Sequence, residues 1–379
     1  MLYDNGQLLE LLAALWRETR RPLYRQRAEE TVAWLAREMI AEAAPDGLAS
    51  FAAALDADSE GEEGRFYVWS EAEVDRVLGD AAPAFKAAYD VTRAGNWEGH
   101  SILNLLEKAE ERHEADPALA EARAKLFEAR APRIRPQRDD KVLADWTALA
   151  VIGLADAARA FDRPDWIDLA ARAFDFVATH MTDGDDGLSH SYRLGRAAHP
   201  GGLLDYAAMA RAGVALYEAT GTARYLDQAN AFADAAERRF AAPDGGWFDS
   251  TAADLIVRPK TIADNATPSG AGMMAETLAR LWLLTGAETR RSAAERALTA
   301  YGGEIARGLP AAGLIAAERL LARGLQVVVI GADDDPVTAA LLAAAERASL
   351  PDLVLTRLAP DAALPGLHPA HGKAMLDGR

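Results

Sequence analysis

"DWTALAVIGLADAARAFDRPDWIDLAARAFDFV", residues 145–177, and "DYAAMARAGVALYEATGTARYLDQANAFADAAERRF", residues 205–240, are two copies of one pattern. Each opens on Asp plus an aromatic residue and runs through about fifteen helix-forming positions to a short polar break. Each then resumes at an aromatic residue, Trp166 or Tyr225, with a second, amphipathic helix. A third copy opens at Asn265, "NATPSGAGMMAETLARLWLLTGAETRRSAAERALTAY", so the openings at 145, 205 and 265 fall 60 residues apart. An earlier copy starts at Asp4, with Tyr24 in the place of Trp166.

The first helix of each copy is rich in Ala, Leu and Gly and suits burial nearly all round; the second carries charge along one face, as an outer helix does. After the second helix comes "PDGL" at 45–48, "DDGL" at 185–188 and "PDGG" at 243–246, turn chemistry that introduces short strand-like pieces. Stacked hairpins of this length close into rings or open solenoids, and buried first helices with charged second helices favour the ring. The expected fold is mainly α, an (α/α) toroid of helical hairpins over 1–323 with an inserted segment at about 70–140. Within the insert, Ser70-x-x-Glu73 has the form of a capping box, and charged helices are expected around 104–130. Residues 324–379 read as a small α/β appendage, strand–helix–strand, with Asp335 as helix cap and Pro336 as first helical residue. A single Gly after its first strand is no dinucleotide fingerprint.

Half of the 379 residues are hydrophobic, enough for a substantial core. The formal net charge is −17, which argues against nucleic acid and anionic membrane surfaces as partners. Cysteine is absent, so disulfides, thiolate catalysis and zinc–thiolate sites are excluded. The opening "MLYDNGQLLELLAALW" lacks a basic leader region, and no apolar run approaches the roughly 20 residues of a membrane span. These features give the expectation of a soluble, cytoplasmic protein.

Five motifs, "MLYDN" at 1–5, "LDADSEGEEGRFYVW" at 55–69, "DDKVLADW" at 139–146, "IVRPK" at 256–260 and "DNATPSG" at 264–270, occur in an order that resembles the thioredoxin-domain-containing family that includes spermatogenesis-associated protein 20. The resemblance implies a thioredoxin-like domain followed by a toroid similar to the N-acylglucosamine 2-epimerase and six-hairpin glycosidase folds. The chain starts at the first motif, so the thioredoxin-like domain and the first hairpin are expected to be missing from it, as a natural short form or a fragment. An incomplete ring would leave an inner face for a second copy or a partner to cover. Thr147 stands where relatives tend to carry Asn.

In the toroid reading the inner-helix N-termini face one funnel. That would gather Asn5, Asp145, Trp146, Asp205, Tyr206, Asp264 and Asn265. Paired carboxylates are the apparatus of glycoside hydrolysis, and the candidates are Asp56, Asp58, Asp145, Asp205 and Asp264, with Glu60 as a ligand-binding acid. Helix capping explains Asp145 and Asp205 equally well. An epimerase or isomerase needs an acid and a base, and His190 in "LSHSYR" is the best placed of the seven histidines. The inner helices carry no histidine pair of the kind the similar epimerases use.

The stretch 56–69 sets five acids beside an aromatic run; Tyr67 and Trp69 are candidate platforms for a ligand on a hairpin over the funnel. Asp56-x-Asp58-x-Glu60 mimics the start of a calcium loop, but Tyr67 stands where the bidentate Glu belongs, so no metal is expected. Lys141, Arg258 and Lys260 suit a ligand carboxylate or phosphate, or else neighbouring acids. The functional expectation is a sugar-like small molecule handled without a cofactor by an epimerase, isomerase or glycoside hydrolase. The alternative is a non-catalytic glycan- or protein-binding module working with a separate thioredoxin-like domain.

Overall fold

The structure, a computed structural model, describes residues 1–41, 43–106, 116–184, 186–252, 254–308, 310–332, 334–348, 350, 352–362, 364, 368 and 370–373. The helices are α1 (Leu2–Thr19), α2 (Pro22–Glu38), α3 (Glu71–Leu78), α4 (Ala82–Ala88), α5 (Pro117–Arg130), α6 (Ala144–Phe161), α7 (Pro164–His180), α8 (Leu203–Thr220), α9 (Ala223–Phe240), α10 (Gly270–Thr285), α11 (Glu288–Ile305), α12 (Ala312–Arg323) and α13 (Pro336–Arg347). The strands are β1 (Ala54–Leu55), β2 (Asp58–Ser59), β3 (Glu62–Glu63), β4 (Arg138–Asp139), β5 (Val142–Leu143), β6 (Ser189–Arg193), β7 (Arg196–Pro200), β8 (Leu325–Ile330) and β9 (Leu353–Leu358). The chain divides into two compact units, residues 1–54 with 140–379, and residues 55–139.

The first unit is an (α/α) toroid of helical hairpins. Its pairs are α1/α2, α6/α7, α8/α9 and α10/α11, and each first helix packs on the next first helix: α1 on α6, α6 on α8, α8 on α10, α10 on α12. The repeat extends to the links. α1, α6, α8 and α10 each end on a left-handed residue, Arg20, Asp162, Gly221 or Gly286, and the second helix starts two residues later. That left-handed residue turns the chain back and stops the first helix. In the second helices, Trp166 and Tyr225 are 3% and 4% exposed, so the repeated aromatic anchors the outer helix to the inner layer. α6 and α8 are buried on nearly every face, which only small side chains allow at this packing density. Gly153 shows the limit: a Cβ there would lie 2.0 Å from the Gly6 carbonyl oxygen of α1.

The second helices α2, α7 and α9 are each followed by a turn closed by one antiparallel bridge, Ile40 with Phe51, Thr182 with Leu188, and Ala241 with Trp247. Those are the places of the three repeated Asp-Gly signals, although Asp185 itself lies outside the described residues. β5, β6 and β7 form an antiparallel sheet, with Leu143 opposite Ser191 and Ser191 opposite Ala198. Leu194 and Gly195, both at positive φ, make the two-residue turn between β6 and β7. The third copy differs from its sequence reading, because α10 starts at Gly270 under the Ser269 cap and leaves Asn265 in the preceding loop.

β8 and β9 pair in parallel, joined by α13, whose cap is Asp335 with Pro336 next. This segment belongs to the first unit. Arg17 donates to Glu346 of α13 at 2.8 Å, and Arg159 pairs with the same carboxylate.

The second unit has its own core of Trp69, Val74, Leu78, Phe85, Tyr89, Leu119 and Leu126. The Ser70–Glu73 capping box is formed: Ser70 Oγ accepts the Glu73 N–H at 3.3 Å and Glu73 accepts the Ser70 N–H at 2.9 Å. Of the charged stretch expected around 104–130, α5 covers 117–130, and 107–115 lie outside the described residues.

Candidate functional site

Three of the candidates meet. β5 delivers Asp145 into the first turn of α6, and its pairing with β6 sets His190 beside it. The β6–β7 hairpin then leads into α8, whose first turn carries Asp205. Asp205 Oδ1 accepts the backbone N–H of Asp145 at 3.1 Å and the Nδ1 of His190 lies 3.0 Å from it. Asp205 Oδ2 accepts the Gly202 N–H at 2.8 Å. One carboxylate therefore fastens the start of its own helix, the start of the neighbouring helix and an imidazole. Asp145 Oδ1 accepts the Trp146 N–H at 2.8 Å and lies 4.0 Å from His190 Nδ1. One oxygen from each acid and one ring nitrogen fall within 4.8 Å of one another.

Burial sets the electrostatics. The side chains of Asp145 and Asp205 are 11% and 5% exposed, and that of His190 is 38% exposed. Loss of hydration, and then the nearby Asp205 carboxylate, push the Asp145 carboxyl up to about 7, against a partial pull down from His190. The hydrogen bond to Asp205 raises His190, with Lys141 acting the other way. A carboxyl pushed up to about 7 and an imidazole held above its ordinary value thus sit side by side, one enclosed and one partly open to solvent.

The other candidates from the sequence fall elsewhere. Asp264 accepts the Ser269 N–H through Oδ1 and the Gly313 N–H through Oδ2, both at 2.8 Å, and so joins the starts of α10 and α12 as Asp205 joins those of α6 and α8. Asn265 is exposed and borders a cavity of about 280 Å³ that Asp264 also lines. Trp146 is half-buried, edge-on to Tyr3 at 4.6 Å. Asn5 donates to the Met1 carbonyl at 2.8 Å, a bond within its own helix.

Other candidates are engaged in packing and pairing within the protein. Tyr206 is 2% exposed, and its hydroxyl accepts the Leu188 N–H and donates to the Asp186 carbonyl, which makes it a strut for the 182–188 turn. Arg258 covers the Phe248 ring at 3.9 Å and donates to the Ser250 carbonyl. Lys260 pairs with Asp244.

Asp56, Asp58, Glu60, Tyr67 and Trp69 belong to the second unit. Residues 64–67 form a turn, and Trp69 bridges to Ser101. Trp69 is 3% exposed in that unit's core with the Arg133 guanidinium 4.1 Å over its ring, and it is no open platform. Tyr67 is 39% exposed, against Phe66 and Arg130. Asp56 Oδ1 accepts the Asp58 N–H, and Glu60 pairs with Arg65 at 3.0 Å. Glu60 and Arg65 also line a cavity of about 930 Å³ in this unit, with Trp97 and His100.

A set of charged residues along the toroid axis escaped the sequence reading. Arg211 of α8 is 6% exposed and donates to Glu276 of α10 at 3.3 Å; Arg280 donates to Glu276 at 2.8 Å; Arg17 of α1 holds Asp156 of α6 at 2.8 and 2.9 Å. Burial opposes ionisation of Glu276, but Arg280 and Arg211 outweigh it and hold its pKa at about 2. The signal was present: Glu10 and Arg17, Arg211 and Glu218, and Glu276 and Arg280 recur at seven- and four-residue steps on otherwise Ala/Leu-rich helices, one face each.

An (α/α) toroid with two buried acids at inner-helix starts and a partly exposed histidine beside them is the frame in which the comparisons with known proteins stand. No family model matches the sequence. The chain is similar to spermatogenesis-associated protein 20 of Homo sapiens, 29% identical over 413 aligned positions that cover 94% of this chain and 51% of that protein. The chain spans about half the length of the curated relatives it matches. The five motifs and this similarity point to the same proteins. Among solved structures, a glycoside hydrolase from family 105 of C. acetobutylicum is 13% identical with a TM-score of 0.40, covering 80% of this chain and 77% of that one. A D-mannose isomerase is 11% identical with a TM-score of 0.40, covering 80% and 75%. No helix among the described residues is long and apolar enough to cross a membrane.

Proposed function

We propose that the first unit performs acid–base chemistry on a small, sugar-like molecule, moving a proton at a hydroxyl-bearing or carbonyl-adjacent carbon as a sugar isomerase or epimerase does. The observation that carries this is the 3.0 Å contact of His190 Nδ1 with Asp205 beside the Asp145 carboxyl. Asp205 fixes the His190 ring through Nδ1, which leaves Nε2 to exchange a proton with a substrate. Asp145, with a pKa of about 7, is the second proton carrier, a carboxylic acid able to donate near neutral pH.

Glycoside hydrolysis fits this geometry less well. It needs two carboxylates placed across a glycosidic bond, one of them free as base or nucleophile. Asp205 already accepts from two backbone amides and the imidazole, so its oxygens are committed to the protein.

The test is a screen of aldoses and ketoses for interconversion, and for exchange of the carbon-bound proton with deuterium from solvent. Isomerisation or exchange that disappears in both Asp145→Asn and His190→Gln supports the reading. Unchanged exchange in both variants rejects it. Sugar binding without exchange would instead support a glycan-binding module.

A further inference from the structure

The inner layer of the toroid has two ends. α6, α8 and α10 each have an inner helix on both sides, whereas α1 has only α6 beside it and α12 only α10, and α1 and α12 do not pack on each other as those pairs do. Gln7 and Glu10 of α1 and Ala312 and Gly313 of α12 line the same cavity of about 280 Å³, so the two end helices border one gap.

Both end helices turn an unpartnered stripe away from their neighbour. α1 is buried along Leu2, Gly6, Leu9 and Ala13, and Gly6 and Leu9 of that stripe meet α6. Leu8, Leu11 and Leu15 form a second stripe about 160° around the helix from the first. Leu8 and Leu11 are 49% and 52% exposed. α12 is buried along Leu314, Ala317 and Leu320, and its exposed stripe, Ala312, Ile315, Ala316 and Arg319, lies about 150° away. In α6 and α8 the corresponding faces are covered on both sides. Leucines left in water at helical spacing, on a helix whose other stripe is core, mark a face that a partner covers.

We propose that a second copy of this chain covers this face, with α1 lying antiparallel on α12 of the partner subunit, twice over across a two-fold axis. The inner helices start at one end of the toroid: Asp205 joins the starts of α6 and α8, Asp264 those of α10 and α12, and Gln7 of α1 donates to the Ala266 carbonyl before α10 at 2.9 Å. A two-fold axis across them reverses the partner's helices, which closes the assembly at two copies.

Length, size and charge then match. Asp4 to Leu15 and Ala312 to Arg323 span the same number of residues, about 16 Å of helix. Set antiparallel, Asp4 meets Arg323 of the partner subunit, Leu8 lies under the stem of the partner's Arg319, Leu11 meets the partner's Ala316, and Leu15 meets the partner's Ala312. Large side chains fall on small ones, and an acid falls on a base. Asp4 and Arg323 are both exposed, and the nearest cation paired with Asp4 is the chain's own amino terminus at 3.6 Å. Set parallel over the same residues, Leu11 and Leu15 would meet the partner's Arg319 and the partner's Arg323, and Asp4 would meet no base. The pairing is independent of the acid–base chemistry proposed above.

The experiment is sedimentation equilibrium of the whole chain, repeated with Leu11→Asp, Asp4→Arg, Arg323→Asp and the double variant Asp4→Arg/Arg323→Asp, each with its melting temperature measured to confirm folding. The expected result is a parent of twice 40.6 kDa. Leu11→Asp should weaken the dimer about tenfold or more, because it sets a charge at the centre of the apolar stripe. Asp4→Arg and Arg323→Asp should each weaken it about threefold or more, and the double variant should recover most of that loss by exchanging the charges. A parent that stays monomeric up to about 100 μM overturns the proposal. So do a dimer that Leu11→Asp leaves intact, a double variant no tighter than either single one, and an assembly that grows beyond two copies.

Discussion

Asp205 Oδ1 accepts the backbone N–H of Asp145, its counterpart one 60-residue repeat earlier, at 3.1 Å. The repeat therefore does more than copy a hairpin. The acid in the first turn of α8 ties down the start of α6, the inner helix one copy before. Asp264, in the loop before α10, instead ties that helix to α12, the inner helix that follows. At Asp205 the arrangement also captures His190.

Asp205→Ala should cost about 2–4 kcal/mol, because it strips acceptors from two buried backbone amides and a partner from His190. Urea unfolding measures it. A loss under about 0.5 kcal/mol would show that water replaces the carboxylate and that the cap contributes little.

Asp145→Asn should behave in the opposite sense. The carboxyl is pushed up to about 7 by burial and by Asp205, so at alkaline pH the ionised form strains the fold. The variant should be more stable than the parent by about 1–2 kcal/mol at about pH 8, while proton exchange falls by about 10²–10⁴-fold. Greater stability with lost activity is the mark of a group kept for chemistry.

The pH dependence follows with a definite sign. Between 3.8 and about 7 the folded chain holds a proton on Asp145 that the unfolded chain has released. His190 is raised from 6.5 by Asp205, so its extra stability is complete below 6.5 and disappears as pH climbs through its folded value. Both groups make stability fall as pH rises through neutrality. The melting temperature of the parent, referred to that of Asp145→Asn, should drop between about pH 5 and about pH 8. A flat difference would mean that Asp145 ionises in the fold as it does in water.

Arg211→Ala should destabilise by about 3–5 kcal/mol, since Glu276 would lose one of the two guanidiniums that keep it ionised in a buried place. Adding Glu276→Gln should recover part of that loss. A double variant no more stable than Arg211→Ala would place the cost in packing instead of charge.

Gly153→Ala should cost more than the roughly 0.5–1 kcal/mol that Ala ordinarily gains over Gly in a helix, because the new Cβ would fall on the Gly6 carbonyl. Thermal unfolding of the variant against the parent checks it, and a rise in melting temperature would mean that α1 and α6 separate freely.

The hairpin repeat, the alternation of Ala-rich and charged helices, the Asp-Gly turns, the Ser70–Glu73 box and the Asp335 cap were all determined by the sequence alone, although the start of α10 was not. They depend on neighbours within a few positions, or on repetition, and both survive in one dimension. The order of the site was half legible. Asp145, Asp205 and His190 could be named as candidates, but capping and chemistry ask for the same residue type at a helix start, so residue identity could not separate them. Only the β5–β6 register brings His190 within 3.0 Å of Asp205, and only burial lifts Asp145 to about 7. The same reason governs the aromatics: a ring such as Trp69 suits a core and a binding face equally, and burial of Trp69 and Tyr206 comes only with the packed chain. Nothing local marks Arg211 and Glu276 for enclosure, and their pairing exists only once α8 packs on α10. Burial and pairing belong to the packed helices together, and no local stretch of sequence carries them.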